Sequence, residues 1–134
     1  MLSHASLGVR DLVRSLAFYD AALGALGCAR VWTHETAAGY GPPGHNDQVA
    51  LFVETDHERL CAGPGFHLAF AAPGREAVNR FQAAALAAGG RCDGPPGPRP
   101  RYGPTYYAAF VLDPDGHKLE AVHQERPVGA GLEP

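Results

Sequence analysis

Apolar and polar positions alternate at the start of the chain. Over residues 2–9, Ala5, Leu7 and Val9 fall on one face, with His4, Ser6 and Gly8 on the other. That period of two predicts a strand with one face toward a core. Asp11 follows at the N-cap position of a helix, where a short carboxylate accepts from first-turn amides. Leu12, Leu16, Tyr19 and Leu23 then recur at helical spacing, and Gly24 or Gly27 can end the helix. The same plan returns later. Phe66, Leu68 and Phe70 oppose His67, Ala69 and Ala71, and Pro73-Gly74 breaks the strand. Val78, Phe81, Ala85 and Leu86 predict a second amphipathic helix, stopped by Gly89 and Gly90.

The recurrence is in register. A shift of 63 positions lays His4 on His67, Phe18 on Phe81, Leu23 on Leu86 and Gly27 on Gly90, without a gap. Ala and Leu matches are cheap in an alanine-rich chain, whereas His, Phe and Gly matches are less so. They indicate an internal duplication. Short β-like pieces follow each helix: Cys28 to Glu35 and Val49 to Thr55 in the first half, Thr105 to Leu112 and His117 to His123 in the second. The last two flank Asp113-Pro114-Asp115-Gly116, a strong hairpin turn. The predicted order is β-α-β-β-β, twice. Gly39 to Asp47 and Gly94 to Pro104 read as Pro- and Gly-rich loops, the second a candidate mobile lid. Residues 1–124 form one domain, with modules over about 1–60 and 65–124, and residues 125–134 form a polar tail.

Composition narrows the function. The chain has 134 residues, 46% hydrophobic and 19% charged, with net charge −3. That supplies a core and argues against a disordered chain. With no basic block, nucleic acid is not expected as a partner. No signal-like segment or membrane-length apolar run is visible, so the expectation is a cytoplasmic protein with no membrane partner. Cys28, Cys61 and Cys92 are odd in number and contain no CxxC pair, so neither a disulfide framework nor a Cys-rich zinc site is indicated.

The candidate chemistry lies on the less crowded strand faces. His4 and His67 sit opposite the bulky apolar residues, beside small neighbours that leave space above the sheet. In Lys118-Leu119-Glu120-Ala121-Val122, alternation puts Glu120 on that same face. Two imidazoles and a carboxylate form a triad that holds one divalent metal ion (Fe, Mn, Ni, Co or Zn) with positions left open for substrate. A lone strand histidine is more often a hydrogen-bonded or surface residue, and a lone glutamate a solvated charge. Their matched placement in a duplication favours the metal-site reading of His4, His67 and Glu120. By contrast, His34, His45, His57 and His117 read as loop or surface residues, and His123 falls on the opposite face from Glu120. GxSxG, HExxH, P-loop and GxGxxG patterns do not occur.

Three stretches carry a family resemblance: His4-Ala-Ser-Leu-Gly-Val-Arg-Asp11 with Ser15 and Phe18-Tyr19; Gly65-Phe66-His67-Leu68-Ala69-Phe70; and Phe110-Val-Leu-Asp-Pro-Asp-Gly-His-Lys-Leu-Glu120. Together they resemble the vicinal oxygen chelate superfamily, also called the glyoxalase/bleomycin-resistance/dioxygenase superfamily, over nearly the whole chain. The resemblance implies an α+β fold of two βαβββ modules forming an open, mixed, barrel-like sheet with helices on its outer face. It implies ligands His4, His67 and Glu120 from the first, fifth and eighth strands. It also suggests a homodimer, since small members commonly dimerise, and leaves open whether the site is shared across the interface.

Glyoxalase I members carry a further carboxylate ligand on the fourth strand. Here an apolar residue near Leu51 stands at that place, and Glu54 serves only if the register shifts. The resemblance therefore implies a metal-dependent, glyoxalase-like lyase or isomerase. Its small oxygenated substrate chelates the metal, and Glu120 is the nameable catalytic base. The alternatives are an extradiol-type Fe(II) dioxygenase, a drug- or metabolite-binding protein without chemistry, and thiol transfer to an antibiotic, with Arg99 and Arg101 meeting an anion. Trp32, Tyr40, Phe52, Tyr102 and Tyr106 are the aromatic candidates for the substrate pocket.

Overall fold

Strand β1 (Ala5–Val9) leads into helix α1 (Leu12–Gly24), and strands β2 (Ala29–Thr33), β3 (Ala37–Gly41) and β4 (Val49–Val53) complete the first module. The second repeats the order with β5 (Leu68–Ala71), α2 (Arg75–Ala87), β6 (Arg91–Pro98), β7 (Tyr107–Leu112) and β8 (Lys118–His123). The computed structural model describes residues 1–61 and 63–125; the expected tail lies, beyond residue 125, outside them. A shift of 63 carries the limits of α1 exactly as far as those of α2. Asp11 caps α1 by accepting from the Arg14 amide. Gly74 starts α2 with no side-chain cap.

Each module folds its four strands into one sheet, in the orders β1-β4-β3-β2 and β5-β8-β7-β6. The β1–β4 and β5–β8 pairs are parallel and the others antiparallel. Alternation divides the faces. Leu7, Val9, Val49, Leu51, Ala38 and Tyr40 are buried on one face of the first sheet; Leu119, Ala121, Ala109 and Val111 are buried on one face of the second. Helices α1 and α2 cover these faces and pack against each other, so both modules share one core. Phe18, Tyr19, Val78 and Phe81 fill its centre. Among the described residues the opposite sheet faces stay uncovered, and Phe52 remains exposed there. The two sheets are not closed into a barrel.

Two loop expectations are corrected. β3 takes up the start of the predicted Gly39–Asp47 loop, and β6 runs through Gly94 to Pro98 of the predicted lid. Glycine composition misled in both places. Gly39 is needed because Trp32 lies across it: a Cβ there would stand 2.1 Å from the indole Nε1. The rest of the supposed lid is a turn whose backbone bonds include Tyr102 N–H to Arg99 O (2.9 Å) and Arg99 N–H to Tyr106 O (2.8 Å).

The modules are joined by buried polar bonds. The Asp113–Gly116 turn inserts its carboxylates beside α1. Asp115 Oδ1 accepts from Arg10 Nη1 (3.2 Å) and Arg14 Nη2 (2.8 Å), while Oδ2 accepts from Ser15 Oγ (3.4 Å). Asp113 Oδ2 accepts from Tyr19 Oη at 2.6 Å, and its Oδ1 accepts the amides of Asp115 and His117. His117, expected at the surface, is buried instead, and its Nε2–H donates to the Gly8 carbonyl at 2.7 Å. Sequence alternation could not find this, because the partners lie about a hundred residues apart.

Asp115→Ala should cost about 3 kcal/mol in urea unfolding. That is the low end for breaking a buried ion pair, because half-exposed Arg10 and Arg14 can turn to water. Alkaline pH tests the phenols. Burial and the Asp113 carboxylate push Tyr19 well above the ordinary tyrosine range, and burial with the Asp20 hydrogen bond raises Tyr40. Both keep their protons in the fold at pH values where the unfolded chain loses them. Their stabilisation is therefore complete below about pH 10 and declines as pH rises past it. Melting temperatures should fall steeply above about pH 10, and less steeply in Tyr19→Phe.

Candidate functional site

Strand β8 runs between β5 and β7, and its pairing sets the site. Glu120 stands opposite Ala69 on one side and Phe110 on the other, all on the uncovered face. Its side chain is nonetheless 2% exposed. His67, just before β5, reaches back over Ala69 and donates Nε2–H to Glu120 Oε1 at 2.9 Å. Tyr106, just before β7, donates its hydroxyl to Oε2 at 2.5 Å. Small side chains at Ala69 and Ala71 keep the space above β5 open, while Phe110 meets the His67 ring edge-on at 6.0 Å between centroids.

The result is a cleft of about 540 Å³ with Glu120 and His67 at its floor. Tyr102 and Tyr106 form one wall, their ring centroids 5.3 Å apart. Burial first, then the hydrogen bond and charge of Glu120, push Tyr106 up to about 12. It is therefore a proton-bearing group at neutral pH.

The other sequence candidates are scattered. Trp32 and Phe52 lie on the uncovered face of the first sheet, away from this cleft. Tyr40 is a correction: it is 1% exposed on the helix side, where it packs near Tyr19 and donates to Asp20 Oδ1 at 2.7 Å. It belongs to the core because alternation along β3 sets it inward.

His4 does not join His67 and Glu120 within the chain; its Nδ1 pairs with Ser3 Oγ. Among the described residues, no three His, Cys, Asp or Glu side chains converge to hold a metal ion. The duplication explains why. Leu7, midway along β1, shares a cleft with Phe66 and Leu68, whereas His4, just ahead of β1, shares one with Leu68, Ala69, Phe70 and Ala71. β1 and β5 thus run in opposite directions along the seam between modules. Equivalent residues of the two modules fall at opposite ends of it.

Strand register also settles the equivalent of Glu120 in module one. Ser6 pairs with Ala50 as Ala69 pairs with Glu120, so Ala50 holds that position. Glu54 lies four residues further on, roughly 13 Å along an extended chain. It packs against Gly8 instead. Even so, the paired atoms suit a metal. Ligand atoms about 2.1 Å from one ion and at right angles stand about 3 Å apart, and His67 Nε2 and Glu120 Oε1 are 2.9 Å apart. They fit two adjacent coordination positions.

Comparison with known proteins agrees with this architecture. Residues 1–121 match the model of the Glyoxalase/Bleomycin resistance protein/Dioxygenase superfamily, and the chain belongs to that family. A glyoxalase/bleomycin resistance protein from Albidiferax ferrireducens T118 is 36% identical, with TM-score 0.78 over 93% of this chain and 99% of its own. A glyoxalase-related enzyme from Fulvimarina pelagi, 22% identical, shares the fold with TM-score 0.70 over 92% and 88%. A glyoxalase I mutant from Zea mays, 23% identical, gives TM-score 0.69 over 90% of this chain and 46% of its own. Among curated proteins, none matches. No helix among the described residues is long and apolar enough to cross a membrane.

A rapid pH jump followed by phenolate absorbance should show one wild-type transition near 12, absent from Tyr106→Phe. In Glu120→Gln the transition should move down without reaching the ordinary value of about 10, because burial remains its largest cause.

Proposed function

We propose that the chain is a metal-dependent lyase or isomerase acting on a small oxygenated substrate, with each site built by two copies. His67 and Glu120 come from one copy and His4 from the second. The observation that carries this reading is the Glu120 carboxylate, buried at the floor of an open cleft with one oxygen 2.9 Å from His67 Nε2. The uncovered sheet faces and the separation of His4 from His67 support a second copy as the source of the third ligand. A C2 dimer would form two equivalent sites by the same contact.

His67 and Glu120, with His4 of the second copy, would hold the divalent ion, which would supply Lewis-acid chemistry toward the substrate. The protein's own groups do the rest. Glu120 is placed to take a proton from substrate carbon and to return it, shielded from bulk water by its burial. Tyr106 keeps its proton and holds Oε2, which fixes the carboxylate plane. Phe110 and the tyrosine wall exclude water beside the reacting atoms. Tyr106 also favours a second reading, an extradiol-type Fe(II) dioxygenase, because a protonated phenol beside a two-histidine, one-carboxylate set can serve as its acid.

Protein purified without added metal or affinity tag should carry about one divalent ion per chain, lost in His4→Ala, His67→Ala and Glu120→Ala. Mixing unfolded His4→Ala and Glu120→Ala chains and refolding them together should restore about a quarter of the wild-type metal, since half the dimers are mixed and each holds one intact site. Bound iron selects the dioxygenase reading; nickel or zinc selects the lyase or isomerase. Absence of metal even after addition overturns both and leaves a ligand-binding protein. Metal retained in His4→Ala overturns the shared site alone.

A further inference from the structure

The module repeat is broken at one place. Up to the end of the helices the modules align at a shift of 63, yet the register of β4 and β8 requires 70, laying Leu51 on Ala121. Module two is therefore seven residues longer between α2 and β8. Where residues 34–36 join β2 to β3, residues 99–106 join β6 to β7. The longer connection carries Arg99, Arg101, Tyr102 and Tyr106, all of which line the Glu120 cleft.

Arg99 is held in place there. Its Nη2 donates to Pro95 O at 2.7 Å and its Nη1 to Gly97 O and Pro98 O at 2.9 and 3.4 Å. The guanidinium lies over the Phe110 ring, 5.6 Å from its centroid. Glycines make the room: a Cβ on Gly94 or Gly97 would come within 3.3 Å of a guanidinium nitrogen. These partners are neutral carbonyls and a ring face, which orient the cation without cancelling its charge. Among the described residues three of its five donors are engaged, leaving two. Among the described residues, Arg101 likewise meets only neutral groups, the Tyr102 hydroxyl at 3.0 Å and the Tyr102 ring face.

The other charges in the cleft are matched. Lys118 pairs with Asp93 at 3.3 Å, and Glu120 is engaged by His67 and Tyr106. Among the described residues neither Arg99 nor Arg101 meets a carboxylate. Among the described residues, the two guanidiniums in this cleft are thus uncompensated.

We propose that Arg99 and Arg101 form a carboxylate subsite, and that the substrate is a planar organic acid whose carboxylate docks there while its vicinal oxygens reach the Glu120 end. The inference rests on the function proposed above. Arg99 binds through its two free donors, the fork geometry that suits a carboxylate. Distance supports the class: Gly94, Phe110 and Glu120 lie side by side on neighbouring strands, so Gly94 is about 10 Å from Glu120 across the sheet. A ring stacked on the tyrosine wall spans that gap.

The test uses metal-free, full-length protein and benzoate, with benzyl alcohol as the uncharged control, followed by amide chemical shifts. Benzoate should shift resonances of β6, β7 and residues 99–106, weaken with added salt, and bind at least tenfold less well to Arg99→Gln and Arg101→Gln. Benzyl alcohol should bind at least tenfold more weakly than benzoate. Arg99→Lys separates charge from shape, and should recover only part of the affinity. Wild-type-like melting of each variant checks its fold. Equal binding of benzoate and benzyl alcohol, or unchanged affinity in both Gln variants, overturns the subsite. Metal content is read separately: benzoate binding without metal uptake would sink the metalloenzyme reading while leaving the subsite standing.

Discussion

Everything in the site depends on a carboxylate outside it. Asp115 sits in the β7–β8 turn with its side chain fully buried, and takes bonds from Arg10, Arg14 and Ser15 of the other module. A buried carboxylate without partners costs several kcal/mol, so the turn has one satisfactory seat, against the start of α1. Asp113 adds the Tyr19 bond and holds the turn's own amides. Seating the turn fixes where β8 begins, and three residues after His117 comes Glu120. The two modules share an apolar core that tolerates sliding, since apolar contact is not directional. Directional bonds at one turn convert that contact into a single register, and His117 to Gly8 O adds a second fixed point.

Much of this was legible in the chain. The two helices were legible because Asp11 and the spacing of Leu12, Tyr19 and Leu23 agree with one another. The strand faces of β1, β5 and β8 followed from strict alternation. β3 and β6 were not legible, because Gly39 and Gly94 to Pro98 read as turn formers. In β3 the glycine answers a tertiary demand, the close approach of the Trp32 indole. In β6 the glycines flank the Arg99 guanidinium. Glycine marks close approach as readily as it marks a turn. Tyr40 was drawn into the pocket set by its type, although the alternation of β3 already pointed it to the core. The buried turn was hidden for a different reason: Asp-Pro-Asp-Gly signals a hairpin whether it faces water or another module.

The candidate site shows how symmetry both creates and limits a constellation. Duplication placed a histidine at the head of β1 and of β5, and sequence reading naturally gathered the two. Yet β1 and β5 run in opposite directions along the seam, so the relation that makes the histidines equivalent also keeps them apart. Linear spacing carries no information on that point. What the chain does gather is local to module two: His67 just ahead of β5, Glu120 on the adjacent parallel strand β8, and Tyr106 from the β6–β7 connection. Within one chain His4 stays apart from that pair, and the proposed second copy would lie on the uncovered sheet faces.

Departures from the repeat mark where the two modules took different work. Ala50 stands where Glu120 stands, so only the second module has the carboxylate. Only the second has the longer β6–β7 connection that walls the cleft and brings two guanidiniums to it. Both changes lie beside the same strand pair, while the helices and the β1 and β5 positions keep their common spacing. A core shared between modules constrains the inward faces of both, since a change of one methylene there is felt. The uncovered faces and the strand connections carry no such constraint. Asymmetry accumulates on them, and in this chain it is concentrated around one buried glutamate.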